Sequence, residues 1–239
     1  MNILAIDTTT KTASVSVKNN NNLYMDKIEN EITHSEKLLP LINKVLNDSN
    51  SKLSDMSMLA CINGPGSFTG IRIGLATIKA LAQVQKLNIF SINSLELIAY
   101  STILKNEDTK YVISMASTNN DRVFYSIYNL EKKEEKYIIT AITEIKNDYI
   151  DEAVEQIKEF VKENNISNNF CISGNCINNF QDELSTINCN KYNFYPDTND
   201  CIHVIEYIHD ISKYTFNAYS LKATYARPSQ AERMKNEKN

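Results

Sequence analysis

Apolar and polar positions follow two periods along this chain, and the switches between them mark its elements. "NILAID" is a continuous apolar run suited to a buried strand, "TTTKT" is a polar turn, and "ASVSVK" alternates as a second strand. The polar "NNNN" at 19–22 makes a hairpin tip, and "LYMDKIE" completes a three-stranded meander. After His34 the spacing of Leu38, Leu39, Leu41, Ile42, Val45 and Leu46 becomes helical, with Thr33 or Ser35 placed to cap it. "MLACIN" reads as a buried strand, Ser67 to Lys86 as a helix, "LNIFSIN" as a strand and "SLELIAYSTIL" as a helix capped by Ser94.

A polar break at "NEDTK" opens a second half near Asn106. "YVISMAS" and "RVFYSIYNL" predict paired strands, "KYIITAITEI" a third, and "YIDEAVEQIKEFVKENN" an amphipathic helix. "NFCISGN" predicts a short buried strand, and 200–214 a helix in which Ile202, Ile205, Ile208 and Ile211 recur every third position. The charged tail is expected to fray. Meander, helix, strand, helix, repeated with variation, predicts an α/β protein of two related lobes, 1–105 and 106–239. The halves share no sequence identity, so the repeat is architectural.

Composition narrows the function classes. At 42% hydrophobic, 23% charged and a net charge of -4, the chain is a folded protein without the basic footprint of a nucleic-acid binder. Any RNA would be held through a partner. No run reaches the roughly 18 apolar residues of a membrane helix, and "MNILAIDTTT" lacks a signal peptide's basic flank. A cytoplasmic protein without membrane contact is expected. The five cysteines, an odd number without a C-x-x-C pair, predict buried reduced thiols instead of a disulfide framework or zinc site.

Four of the five glycines fall in "NGPGSFTGIRIGLA", residues 63–76. A Walker A loop would need lysine after Gly70, where Ile71 and Arg72 stand, and a dinucleotide fingerprint would need glycine where Thr69 stands. Gly64, Pro65 and Gly66 suit a turn out of the strand, with Ser67 or Thr69 capping the helix. Gly66, Gly70 and Gly74 are each four apart and share one helix stripe. Glycine inside a helix costs about 1 kcal/mol relative to alanine, so a close approach must compensate. Three readings stay open: backbone packing within the lobe, a partner interface, or an anion at the helix N-terminus.

"ILAIDTTTKTASVSV", "THSEKLLPLI", "GPGSFTGIRIGLATIKALA" and "YARPSQAER", in this order across residues 3–233, resemble the bacterial TsaB (YeaZ) family. The resemblance implies the two-lobed actin, sugar-kinase and heat-shock-chaperone fold (ASKHA), each lobe a mixed sheet with flanking helices. It implies a non-catalytic subunit that pairs with the TsaD catalytic subunit, which transfers threonylcarbamoyl to the adenosine beside the anticodon of certain tRNAs. The TsaE ATPase joins them, the subunit is a homodimer when alone, and tRNA is met only through the complex. No cofactor is expected on this chain alone; ATP or ADP and a metal belong to the partner subunits.

Carried over, the pairing surface would use His34, Leu38, Leu41, Ile42, Val45, Ser67, Phe68, Gly70, Ile71, Gly74, Leu75 and Ile78. Asp7, Thr8 and Thr9 occupy the position of a degenerate nucleotide site, where ATP-binding members of the fold have a glycine that admits phosphate. No metal site is expected, because His203 and His209 are six apart and fall on different helix faces. The chain departs from the family in "MASTNNDRVFY", where an Asp-Ala-Arg segment is common, and near "ISGNC", where only Gly174 remains. The competing class is catalytic, a glycoprotease-like peptidase using Ser67 with His34, or a small-molecule kinase. A plain monomer with glycines serving only lobe packing is the third reading.

Overall fold

The computed structural model describes residues 1–29, 34–106, 109–118, 121–166 and 169–226. The candidate cap Thr33 and the tail 227–239, with most of "YARPSQAER", lie outside the described residues. The first lobe runs β1 (Ile3–Asp7), β2 (Thr12–Asn19), β3 (Asn22–Glu29), α1 (His34–Asp48), β4 (Met58–Ile62), α2 (Phe68–Gln85), β5 (Ile89–Ile92) and α3 (Ser94–Lys105). The second repeats the plan with β6 (Tyr111–Ser117), β7 (Arg122–Lys133), β8 (Lys136–Ala141), β9 (Lys146–Tyr149), α4 (Ile150–Glu163), β10 (Phe170–Gly174), α5 (Gln181–Ser185), β11 (Asn190–Asn193) and α6 (Thr198–Tyr207). β12 (Thr215–Phe216) follows.

The first sheet has the order β12-β5-β4-β1-β2-β3 and the second β11-β10-β6-β7-β8, with β9 also paired to β7. Each lobe therefore has an antiparallel meander followed by two parallel strands reached through helices. This is the expected two-lobed α/β fold, each lobe a mixed sheet with flanking helices. The helices that link the parallel strands pack on both faces of each sheet.

Alternation along β1 divides the core. Leu4 and Ile6 join Val15, Val17, Leu59 and Cys61 beneath α1 and α2. Ile3 and Ala5 face the other way, into the cluster that holds α3, α6 and the inner residues of both sheets, such as Phe90, Val112 and Tyr128. Ile113, Met115, Tyr125 and Ile172 face α4 and the turn around Phe180. The pseudo-equivalent helices α3 and α6 thus lie between the lobes, inside one continuous core.

Several sequence expectations need correction. The helix expected over 200–214 ends at Tyr207, because His209 N–H donates to Tyr137 O at 3.1 Å and pulls the chain toward β8. α3 is capped by Asn93, whose Oδ1 accepts from Glu96 N–H at 2.8 Å, while Ser94 Oγ donates to Pro65 O at 2.7 Å. The strand expected at "KYIITAITEI" ends at Ala141 as β8; Thr143 Oγ1 then accepts from Ile127 N–H at 3.0 Å, and β9 begins only beyond the expected stretch, at Lys146. The expected second lobe, 106–239, is shared between the sheets: Thr215–Phe216 pairs with β5, and Leu221 is buried in the first lobe. Short α5, β11 and β12 carry too few residues for a periodic signal.

Candidate functional site

The site is built where the turn after β1 meets the start of α2. Ser67 caps α2, its Oγ accepting from Gly70 N–H at 3.2 Å, and its own N–H donates to Thr9 O at 2.6 Å. Thr8 Oγ1 donates to Gly70 O at 2.7 Å. A Cβ on Gly66 would lie 2.2 Å from Thr9 O, on Gly70 1.9 Å from Thr8 O, and on Gly74 2.3 Å from Thr8 Oγ1. The glycine stripe therefore admits the chain's own threonine turn. Gly64, at φ +104, starts the turn out of β4 and lies against Thr224 O.

From the other side the turn is held by Asp7, whose Oδ1 accepts from Thr9 N–H at 2.8 Å and Thr9 Oγ1 at 2.7 Å. Asp7 is 4% exposed. Burial pushes its carboxyl up to about 6; the Thr9 bonds oppose this, Asp197 across the cleft adds to it, and His34 opposes it weakly. Tyr195 OH lies 3.2 Å from Thr9 Oγ1, tying the second lobe to the same turn, and burial raises its phenol well above the ordinary value. Asp197 caps α6 through Asn199 and Asp200 N–H groups. His34 Nε2 lies 3.2 Å from Thr10 O, which ties the start of α1 to the turn, and its Nδ1 is buried without a hydrogen-bond partner among the described residues.

This arrangement does not fit a nucleotide phosphate. The hydroxyls of Thr8, Thr9 and Thr10 donate to Gly70 O, Asp7 Oδ1 and Thr12 O, and Thr9 N–H is taken up by Asp7. A phosphate here would face the carboxylates of Asp7 and Asp197 with these donors already used.

The structure also corrects the expected pairing residues. His34, Leu38, Leu41, Ile42, Val45, Gly70, Ile71, Gly74, Leu75 and Ile78 are buried in the first lobe, under its own sheet and turn, so their side chains cannot face a partner. Ser67 is the cap, and Phe68 stays exposed. The outward side of α2 is instead the stripe Phe68, Arg72, Ala76, Ala80 and Val84, and α1 exposes Leu39 and Pro40. That stripe is offset by two residues from the glycines, close to the opposite helix face, and its period of four was readable in the sequence. Tyr195 and Asp197 carried no sequence signal, since only the fold brings them to Asp7.

Neither half of the expected serine–histidine pair is arranged for nucleophilic chemistry: Ser67 Oγ serves the cap and His34 Nε2 meets Thr10 O. Among the described residues no group of three or more His, Cys, Asp or Glu is gathered to hold a metal. The cysteines are unpaired, four of them buried, and burial pushes the Cys61 thiol up to about 12. Near the departures, Gly174 is fixed by packing, as a Cβ there would lie 1.6 Å from Met115 O. Arg122, two residues beyond the undescribed 119–120, bonds Asn147. No described helix is long and apolar enough to cross a membrane.

Comparison with known proteins bears directly on this architecture. A family model described as TsaD, tRNA N6-adenosine threonylcarbamoyltransferase, matches residues 29–226. The Escherichia coli protein named tRNA threonylcarbamoyladenosine biosynthesis protein TsaB is 32% identical over 134 residues, 55% of this chain and 57% of that protein. The Bacillus subtilis protein of the same name is 34% identical over 100 residues, 41% of this chain and 44% of its own length. The chain spans about half the length of the curated relatives it matches. The solved YeaZ structure from Pseudomonas aeruginosa superimposes with a TM-score of 0.70 at 16% identity, covering 94% of this chain and 100% of that one. With a family match over most of its length, these relatives and a shared two-lobed fold, the chain belongs to the family described as TsaD, tRNA N6-adenosine threonylcarbamoyltransferase, and within it to the TsaB (YeaZ) group.

Proposed function

We propose that this chain is a non-catalytic subunit of the assembly that installs threonylcarbamoyl on the adenosine beside the anticodon of tRNA, and that it works by pairing with the TsaD catalytic subunit. The observation that carries this reading is the outer face of the first lobe. α1 and α2 lie side by side on one sheet face, and their outward sides expose Leu39 at 53%, Phe68 at 36% and Val84 at 76%, with Ala76 and Ala80 between. Apolar side chains on adjoining helices favour burial against a second protein.

The pairing helices are those the family resemblance implies, through the opposite half of each. The occupied hydroxyls of the β1–β2 turn support a subunit that leaves nucleotide and metal to its partners. In this reading ATP or ADP and a metal act on the TsaD and TsaE subunits, the isolated chain pairs with itself, and tRNA is met through the complex in the cytoplasm. The test is light scattering on the purified chain mixed with the catalytic subunit from the same cell. A one-to-one mass is expected, and no complex with or without nucleotide would sink the reading.

A further inference from the structure

The exposed stripe of α2 does not lie alone. The segment 215–226 returns from α6 and runs beside it, with Leu221 buried in the first lobe and Thr224 N–H donating to Asn63 O at 2.8 Å. Gln83 Nε2 donates to Tyr219 OH at 3.0 Å. At the helix start the Phe68 and Tyr225 rings lie 5.0 Å apart at 34°. The Arg72 guanidinium sits 3.9 Å over the Phe68 ring, and its Nε donates to Tyr225 OH at 3.2 Å.

Arg72 is thus held by two aromatic side chains before any partner arrives. Holding a long cation in one geometry removes rotamer entropy that binding would otherwise cost. Its place is not explained by the helix macrodipole, which favours cations in the last turn, whereas Arg72 is the fifth residue of α2. α2 carries Arg72 and Lys79 and the returning segment Lys222, with no Asp or Glu in either, on a chain of net charge -4; the exposed carboxylates of the same face, Glu36 and Asp48, lie on α1 beside Lys37 and Lys44.

We propose that Phe68, Arg72 and Tyr225 anchor the α2 face, and that Arg72 takes a carboxylate of a different protein whose facing surface is otherwise apolar. This deepens the pairing reading and rests on it, the different protein being the catalytic subunit. Arginine offers a planar fork that matches a carboxylate, and such anchors sit among apolar contacts that exclude water. Three cations among Phe68, Ala76, Ala80, Val84, Tyr219 and Tyr225 suit an acidic and apolar protein surface better than a phosphate backbone. A second copy packed α2 on α2 by a two-fold axis is the poorer match, since it gives each Arg72 a helix without a carboxylate; the exposed Glu36 and Asp48 of the same face lie on α1.

The test is calorimetric titration of the catalytic subunit with the full chain as wild type, Arg72→Gln and Arg72→Lys. Lys162→Gln, on α4 of the other lobe, is the control, and circular dichroism establishes that each variant is folded. Arg72→Gln is expected to weaken pairing by about 30-fold or more, Arg72→Lys to recover only part of it, and Lys162→Gln to match wild type. Self-association of Arg72→Gln, followed by sedimentation, should change by less than about threefold. Equal affinity of Arg72→Gln and wild type overturns the proposal and leaves pairing intact. So does a variant that pairs normally and loses only tRNA retention, which would assign Arg72 to RNA. If wild type itself forms no complex, the pairing reading falls and this inference with it.

Discussion

Replacing Gly70 with alanine sets two physical effects of opposite sign against each other. On helix propensity alone, Gly70→Ala should stabilise α2 by about 1 kcal/mol. The added Cβ, however, would lie 1.9 Å from Thr8 O, and real Cβ atoms do not approach backbone within 3.0 Å. Helix and turn must separate, which strains the Thr8 Oγ1 bond to Gly70 O at 2.7 Å and the Ser67 N–H bond to Thr9 O at 2.6 Å. Two such bonds are together about 2 kcal/mol, and residual overpacking adds about 1–3 kcal/mol. After the propensity gain, the expected net loss is about 2–4 kcal/mol. Urea unfolding should therefore show a lower midpoint at unchanged slope. Ala76→Gly, on the exposed side of the same helix, should lose only about 1 kcal/mol, the propensity difference. A Gly70→Ala protein as stable as wild type, or more stable, would refute the packing argument.

Gly74→Ala meets chiefly the Thr8 hydroxyl, 2.3 Å from the new Cβ. It should destabilise wild type by about 1–2 kcal/mol and become neutral or stabilising in a Thr8→Ala background; additive effects in this double-mutant cycle would contradict the contact. Asp7 has a folded-state value of about 6, above its ordinary 3.8, so the folded state binds the proton more tightly. The stability this contributes is complete below 3.8 and is lost as pH rises to about 6, where the ionised form carries a penalty of about 3 kcal/mol. Asp7→Asn should flatten that slope and raise the unfolding midpoint at pH 7 relative to wild type, with the difference closing toward pH 4; a constant difference across this range would count against the buried carboxylate as its source.

The sequence determined the elements and their order where one period dominated. Leu4, Ile6, Val15 and Val17 alternate because the strands that carry them bury a face, and Leu38, Leu41, Ile42 and Val45 mark the buried side of α1. Ser67 and its glycines fixed the start of α2. The "GPGSFTGIRIG" block was also specific enough to indicate the family. The sequence equally required that something come close to Gly70 and Gly74, since helical glycine is otherwise unfavourable.

Whose backbone comes close was decided by tertiary structure alone. Thr8 and Gly70 are 62 residues apart, and the hydrogen bond between them depends on β1 and β4 pairing in parallel, which places both turns at the same end of the sheet. The same long-range geometry brings Tyr195 to Thr9 and Tyr225 to Phe68, and returns residues 215–221 to the first lobe. Periodicity says which side of a helix is buried and leaves open what it is buried against. That is why the glycine stripe announced a close contact from the sequence, and only the fold could place the threonine turn on it and leave Phe68, Arg72, Ala76, Ala80 and Val84 facing outward.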